Sequence, residues 1–274
     1  MLIIGELINA SRPGIEAAIR ERNAAFIQDI AKRQVLAGAD LIDINAGTLG
    51  EEEPQALAWL ANTIQEVVDI PLCIDSPNPL AIEVALKACR KKAMINSITA
   101  EKERYENMIP LIKAYGASVI ALCMDESGVP DNAEDRVAIA ERMVSLLTRD
   151  GIPRDDIYLD IIIRPISVST GDGIAALETV RGIRQRVPGA HTICGLSNVS
   201  FGLPNRRLLN RTFLCILMGA GLDSVILDPL DREIMAAASA AEALLGRDEF
   251  CMKYISACRN AKVDPHATAA PSKG

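Results

Sequence analysis

The sequence predicts an α/β protein with a (β/α)8 TIM-barrel fold, and three observations carry that prediction. Eight short, near-continuous apolar runs recur along the chain, as expected of parallel strands buried on both faces. A longer stretch with helical spacing of apolar residues follows each run, so strands and helices alternate. The chain has 274 residues, and a barrel of this kind takes about 250.

The predicted strands occupy residues 2–4, 41–44, 72–74, 93–95, 118–122, 157–159, 191–196 and 224–227. The clearest helix is 134–148, with Val137, Ala140, Met143, Val144 and Leu147 on one face and charges opposite. Comparable helices are predicted over 51–67, 79–89, 101–115, 173–186, 206–218 and 231–245. Pro79 marks a helix start and Pro110 an interruption. Gly38, Gly116 and Gly221 stand where a helix closes before a strand. An open doubly wound sheet is the alternative, but it usually carries a glycine-rich phosphate loop after its first strand. Gly5-Glu6-Leu7-Ile8-Asn9 is not such a loop. Residues 1–261 are expected to form one domain, and the Ala-, Pro- and Ser-rich 262–274 a disordered tail.

Composition narrows the function. Hydrophobic residues make up 49%, enough for a sizeable core. A net charge of −7 argues against binding a phosphate backbone, and 3% aromatic residues leave little for stacking bases. Two histidines, His191 and His266, leave no material for multi-histidine metal sites or a triad. The seven cysteines form no C-x-x-C pair and lie mostly in apolar runs, reading as small hydrophobes in a reducing compartment. No leader pattern and no long uncharged apolar stretch is visible, so a cytoplasmic protein without a membrane span is expected.

In barrels of this class the chemistry sits at the C-terminal ends of the strands. Those ends here carry Glu6 and Asn9, Asp43 and Asn45, Asp75 and Ser76, Asn96 and Ser97, Met124 and Asp125, Asp160, Ser197 and Asn198, and Asp228. Any one of these is explained by helix capping or turn formation. The full ring points further. Carboxylates and carboxamides pair edge-on with a flat heterocycle carrying N–H and C=O groups, so the site suits a guanine-like or pterin-like ring. Too many positions are neutral Asn or Ser for a divalent-metal site to be the better reading; no metal is expected.

These motifs resemble a known family. Leu2-Ile3-Ile4-Gly5-Glu6-Leu7-Ile8-Asn9, Asp43-Ile44-Asn45-Ala46-Gly47, Cys73-Ile74-Asp75-Ser76, Met94-Ile95-Asn96-Ser97 and Gly195-Leu196-Ser197-Asn198-Val199-Ser200-Phe201-Gly202 look like the pterin-binding barrels of dihydropteroate synthase type. Within them the chain resembles the methyltetrahydrofolate:corrinoid protein methyltransferases, including the methylcorrinoid:tetrahydrofolate enzymes of anaerobic demethylation. Asn205-Arg206-Arg207 and Asn210-Arg211-Thr212-Phe213 extend the likeness, which runs to about residue 258.

The resemblance implies a homodimeric methyltransferase of one-carbon metabolism. It would move a methyl group between N5 of tetrahydrofolate and the cobalt of cobalamin carried by a partner corrinoid protein. Asp75, Asn96 and Asp160 would bind the pterin, and Asn198 would meet N5. Gly195, Leu196, Ser197 and Arg206 would complete the folate site. Glu6, Asn9, Asn45, Met124 and Asp228 would stand behind it. Asp43 and Asp75 would join Asn198 as catalytic groups through a water-linked network. The direction from methylcorrinoid protein to tetrahydrofolate is the preferred one.

Two alternatives stand beside this reading. One is dihydropteroate synthase-like condensation, although Leu196-Ser197-Asn198 replaces that enzyme's usual Ser-Arg-Lys. The other is a pterin-binding barrel without catalysis. Methionine synthase carries a similar barrel beside a corrinoid domain with Asp-x-His-x-x-Gly. Here Asp264-Pro265-His266 is followed by Ala at 269, so the corrinoid is expected on a separate protein.

Overall fold

The computed structural model describes residues 1–259. The expected tail at 262–274, His266 and the last two residues of the expected domain lie outside the described residues. Eight parallel strands are present: β1 (Leu2–Asn9), β2 (Leu41–Asn45), β3 (Leu72–Asp75), β4 (Met94–Ile98), β5 (Ser118–Leu122), β6 (Ile157–Asp160), β7 (His191–Ile193) and β8 (Ser224–Leu227). They pair in the order β7-β6-β5-β4-β3-β2-β1-β8. The seam between β7 and β8 is bridged where Ile226 N–H donates to Cys194 O at 2.9 Å and Gly195 pairs with Ile226. The open doubly wound alternative is thereby excluded.

Ten helices stand outside the strands among the described residues. They are α1 (Pro13–Arg20), α2 (Ala24–Ala37), α3 (Glu53–Gln65), α4 (Pro79–Ala88), α5 (Lys102–Tyr115), α6 (Ala133–Arg149), α7 (Asp172–Arg186), α8 (Arg206–Ala220), α9 (Arg232–Leu244) and α10 (Met252–Arg259). Asn23, Asn78, Asn132 and Asp231 cap α2, α4, α6 and α9 with side-chain oxygens, satisfying amides that have no partner inside the helix. Gly38 and Gly221 close α2 and α8 at φ 108° and 119°, a conformation that a Cβ resists.

Several boundaries differ from the sequence reading. The helix expected before Gly38, for which the sequence sets no bounds, is two helices: α1 has no side-chain cap, and α2 leaves Phe26 and Leu36 exposed, blurring its apolar face. Helix α10 also lacked a clear signal, burying none of its residues. Pro110 does not interrupt α5. It lies on the exposed face, as does Glu106, whose carbonyl loses its helical donor; water can satisfy that carbonyl. Strand β7 stops at Ile193, and residues Leu196–Ser200 turn into a 3-10 helix.

Alternation along the strands fills the barrel. Ile4, Leu41, Cys73, Met94, Ile120 and Ile193 form one buried cluster, flanked by Leu2, Leu122, Tyr158 and Ile226. A second, larger cluster packs the strands' other faces against the helices. Each fully buried Ile or Leu contributes about 1.5–3 kcal/mol relative to exposure. All seven cysteines are free thiols. Among the described residues no helix is long and apolar enough to cross a membrane.

At the opposite end of the barrel, the His191 ring lies 3.0 Å from Asp223 and 3.2 Å from Asp155 and stacks on Tyr158. The hydrogen bond to Asp223 raises the His191 pKa above its usual value, against the opposing effect of burial. A raised histidine pKa gives stability that is full below about 6.5 and is lost as pH rises through the folded value. His191→Gln should therefore destabilise the protein more at pH 5.5 than at pH 9. Urea unfolding of both proteins at the two pH values tests this; an equal deficit at both would contradict it.

Candidate active site

Side chains alternate along a strand, so every second residue shares a face. The interior series on β1 is Leu2, Ile4, Glu6; on β2 Leu41, Asp43, Asn45; on β3 Cys73, Asp75; on β4 Met94, Asn96; and on β6 Tyr158, Asp160. Strand register sets Asn45 beside Asp75, Asp75 beside Asn96, and Asp160 beside Leu122 and Ile193. An apolar plug is thus capped by a polar layer at the C-terminal end.

Within that layer the groups bind one another. Asn45 Nδ2 donates to Asp75 Oδ2 at 2.9 Å, while its Oδ1 accepts from Gly47 N–H at 3.1 Å. Asn96 Nδ2 donates to Asp43 Oδ1 at 3.4 Å, and the Cys73 thiol also hydrogen-bonds Asp43. Asp43 is 3% exposed. Burial, then the negative charge of Asp75, pushes its pKa well above the usual carboxylate range. Asp75 is raised as well, by burial, with Asn45 and Arg104 opposing. Two carboxyls in one apolar setting favour sharing a proton, and burial favours the neutral form more strongly at Asp43, the deeper one.

A second group joins β1 to the turn after β7. Ser197 Oγ donates to Glu6 Oε1 at 3.2 Å, and Arg12 reaches the same oxygen at 3.3 Å. Burial raises the Glu6 pKa, with Arg12 the strongest opposing charge. Glu6 also faces the charges of Asp43 and Asp228, so the two groups are linked.

Asp160 stands on its own. Burial pushes its pKa up to about 6, opposed by the Ile162 N–H and then the Arg136 charge. Ile162 N–H donates to Asp160 Oδ1 at 2.8 Å. Ile162 has φ 50°, a left-handed conformation costing a β-branched residue about 1–3 kcal/mol.

The other predicted residues divide into two sets. Asn198 is exposed, and its Nδ2 would lie 3.2 Å from a Cβ placed on Gly195, so glycine there leaves room for the amide. Met124 is half-buried, its carbonyl accepting from Ala100 N–H at 3.1 Å. Asn9 accepts from Ser11 N–H and Asp228 from Leu230 N–H, each at 2.9 Å, closing turns. Leu196 is fully buried in the outer core. It therefore cannot line the pocket as expected, because the 3-10 turn directs it away from the opening. Arg206 is exposed and spends its donors on the turn: 2.7 Å to Ser197 O and 3.0 Å to Ser200 Oγ. Its guanidinium also lies over the Phe201 ring, 5.8 Å from the centroid.

Sequence reading missed Arg104 and Glu53. Arg104 donates to Ser97 O at 2.6 Å, to Ser76 O at 3.0 Å and to Pro77 O, tying the loops after β3 and β4 together. Buried Glu53 accepts from Ser76 Oγ at 2.6 Å. Neither carries a local signal, because their partners are 7 to 28 residues away. A cavity of 310 Å³ opens here, lined by Asp75, Asn96, Ser97, Thr99, Arg104 and Leu122 among others. Its carboxylates, carboxamides and small polar groups match the edge of a flat N–H/C=O heterocycle.

Comparison with known proteins agrees with this geometry. The chain is 36% identical over 267 residues to the methylcorrinoid:tetrahydrofolate methyltransferase of Eubacterium limosum, covering 97% of this chain and 98% of that protein. It is 32% identical over 241 residues to methionine synthase of Mycobacterium tuberculosis, covering 82% of this chain and 20% of the longer enzyme. Dihydropteroate synthase of Xanthomonas albilineans, solved with indole-2-carboxylic acid and 6-chloroguanine, shares the fold. Its TM-score is 0.69 at 17% identity, over 90% of this chain and 93% of that one. The model of the pterin binding enzyme family matches residues 5–228, which span all eight strands but for the first residues of β1. The chain is a member of the pterin binding enzyme family.

Proposed function

We propose that this protein is a methyltransferase that moves a methyl group between a corrinoid protein and N5 of tetrahydrofolate, in the direction from methylcorrinoid to folate. The observation that carries the proposal is the end-to-end likeness to a methylcorrinoid:tetrahydrofolate methyltransferase. The polar layer supports it. In this reading Asp160, Asp75 and Asn96 hold the pteridine edge, and Asn198, exposed beside Gly195, meets N5. The corrinoid arrives on its own protein and supplies the cobalt that carries the methyl group.

The chain's own residues bind, orient and manage a proton. An amine nitrogen changes its charge as a methyl group joins or leaves it. The Asn198 amide offers either a donor or an acceptor to that nitrogen. Asp43, whose neutral form is favoured by burial beside Asp75, serves as a proton donor linked to the site through Asn96 and Asp75. Holding both reactants in line is the larger contribution, since the site presents no nucleophile of its own. Residues 1–261 act as one unit in the cytoplasm, without nucleic acid or membrane as partner.

The protein pairs with a second copy of itself. Between α7 and α8 lies an apolar cavity of 480 Å³ whose lining includes Ile174, Leu177, Leu209, Phe213 and Ile216. Ile174 is 63% exposed and Ile216 47%, an arrangement that favours covering by an equivalent surface. Light scattering should give twice the chain mass of 29.5 kDa. Ile174→Asp with Ile216→Asp should give the single mass; a monomeric wild-type protein would rule the pairing out.

Mixing the protein with methylcobalamin and tetrahydrofolate should yield cobalt(I) absorbance and 5-methyltetrahydrofolate. Folate binding with no turnover in either direction would overturn the assignment. Asn198→Ala should lower turnover at least tenfold, about 1.4 kcal/mol, with a smaller loss of folate affinity; wild-type turnover would remove Asn198 from the chemistry. A second signature is pH. Asp160 binds as a carboxylate, and its pKa is pushed up to about 6 by burial. Folate affinity should therefore fall as pH drops through that value, and calorimetry should find the dependence gone in Asp160→Asn.

A further inference from the structure

Arg136 lies on α6, outside the pocket, and is completely buried. Each nitrogen of its guanidinium has a partner. Nε donates to Pro130 O at 3.0 Å, one terminal nitrogen to Ile162 O at 2.9 Å and Ile161 O at 3.3 Å, and the other to Asp172 Oδ1 at 2.9 Å. Arg164 binds the same Asp172 oxygen through Nε at 2.9 Å and a terminal nitrogen at 2.8 Å. Two guanidinium groups thus share one buried carboxylate. The other anion on Arg164, Asp131, is exposed.

The loop that follows β6 carries Ile162, and both of its peptide groups are used. Its N–H holds Asp160 Oδ1 and its carbonyl is held by Arg136. The left-handed turn at Ile162 is thereby fixed from both sides. Among the described residues the Ile162 N–H is the one hydrogen-bond donor to the Asp160 carboxylate. The remaining groups facing Asp160 are the Cys123 thiol from the end of β5, the Cys194 thiol from the end of β7 and the Arg136 charge. Burial first, then the Asp160 charge, keeps both thiols neutral. Arg136 is the single cation among them.

We propose that Arg136 is a positioning residue for Asp160. By fixing the Ile162 peptide it holds one carboxylate oxygen in place and leaves the other free for the pteridine, while its charge favours the binding form of the group. This rests on the reading of Asp160 as a pterin-binding residue and deepens it. It also explains why a β-branched residue occupies a left-handed position beside the site: the turn is imposed by the two hydrogen bonds.

The test is calorimetric binding of tetrahydrofolate between pH 5 and 8 to wild type, Arg136→Gln, Arg136→Lys, Asp160→Asn and the Arg136→Gln/Asp160→Asn double variant. Arg136→Gln should shift the midpoint of the acid-side loss of affinity upward and weaken binding at pH 7 roughly tenfold, the scale of one charge-assisted contact. Lysine keeps the charge but cannot bridge two carbonyls and Asp172. Arg136→Lys should keep the midpoint and still bind more weakly. The double variant should bind no more weakly than Asp160→Asn alone. Arg164→Gln, which removes the other cation on Asp172, should leave the midpoint in place. Wild-type midpoint and affinity in Arg136→Gln, or a loss that adds to that of Asp160→Asn, overturns the proposal. Should Arg136→Gln fail to fold by circular dichroism, Arg136→Lys decides: wild-type affinity overturns it. Wild-type binding by Asp160→Asn at every pH would instead defeat the reading of Asp160 itself, which separates the two failures.

Discussion

Desolvation of carboxyl groups above an apolar plug is the constraint on which the rest of the site depends. Ile4, Leu41, Cys73, Met94, Ile120 and Ile193 close the barrel interior. The next inward-facing level holds Glu6, Asp43, Asp75 and Asp160. Ionised groups there lose hydration that only hydrogen bonds, charges or a ligand can replace. All four carboxyls have raised pKa values for the same first cause, burial. Their differences come from their partners. Asp43 faces Asp75, which raises its pKa further; Asp160 is opposed by the Ile162 N–H and the Arg136 charge and stays near about 6. One layer therefore holds carboxyls that differ in how readily they ionise.

Rigidity above that layer comes from arginines that donate to backbone carbonyls. Arg104 ties the loops after β3 and β4 through Ser76, Pro77 and Ser97 carbonyls. Arg136 fixes the loop after β6 through Ile161 and Ile162 carbonyls. Arg206 fixes the turn after β7 through Ser197 O. A planar guanidinium with several donors suits this role, because one side chain can satisfy two or three carbonyls in fixed directions. The loops that would otherwise move most freely are held where they adjoin the site, which is what preorganised binding requires.

The barrel and its polar layer were legible because both follow from period. Parallel strands buried on two faces give near-continuous apolar runs, and the last inward-facing residue of a run marks the rim. Asp75, Asn96 and Asp160 were found that way, and their strands place them there. What escaped was long-range or conformational. Arg136 and Asp172 are 36 residues apart, and Arg104 reads as one more charge on a helix until Ser76 and Ser97 are brought to it. Leu196 sits next to Ser197 in sequence but faces the outer core, since β7 has already given way to a 3-10 turn. Pro110 misled for the complementary reason: an exposed helix face lets water replace the bond that proline removes.

The same turn explains why asparagine suits position 198. A charged side chain beside Glu6, Ser197 and Arg206 would join their network and be drawn from the pocket mouth. A neutral amide is not drawn in, and its Nδ2 comes within 3.2 Å of where a Cβ at Gly195 would stand. Any larger residue at 195 would press on that amide, so the glycine and the asparagine form one unit. Asp43 lies deeper, where burial and then the charge of Asp75 favour its neutral form.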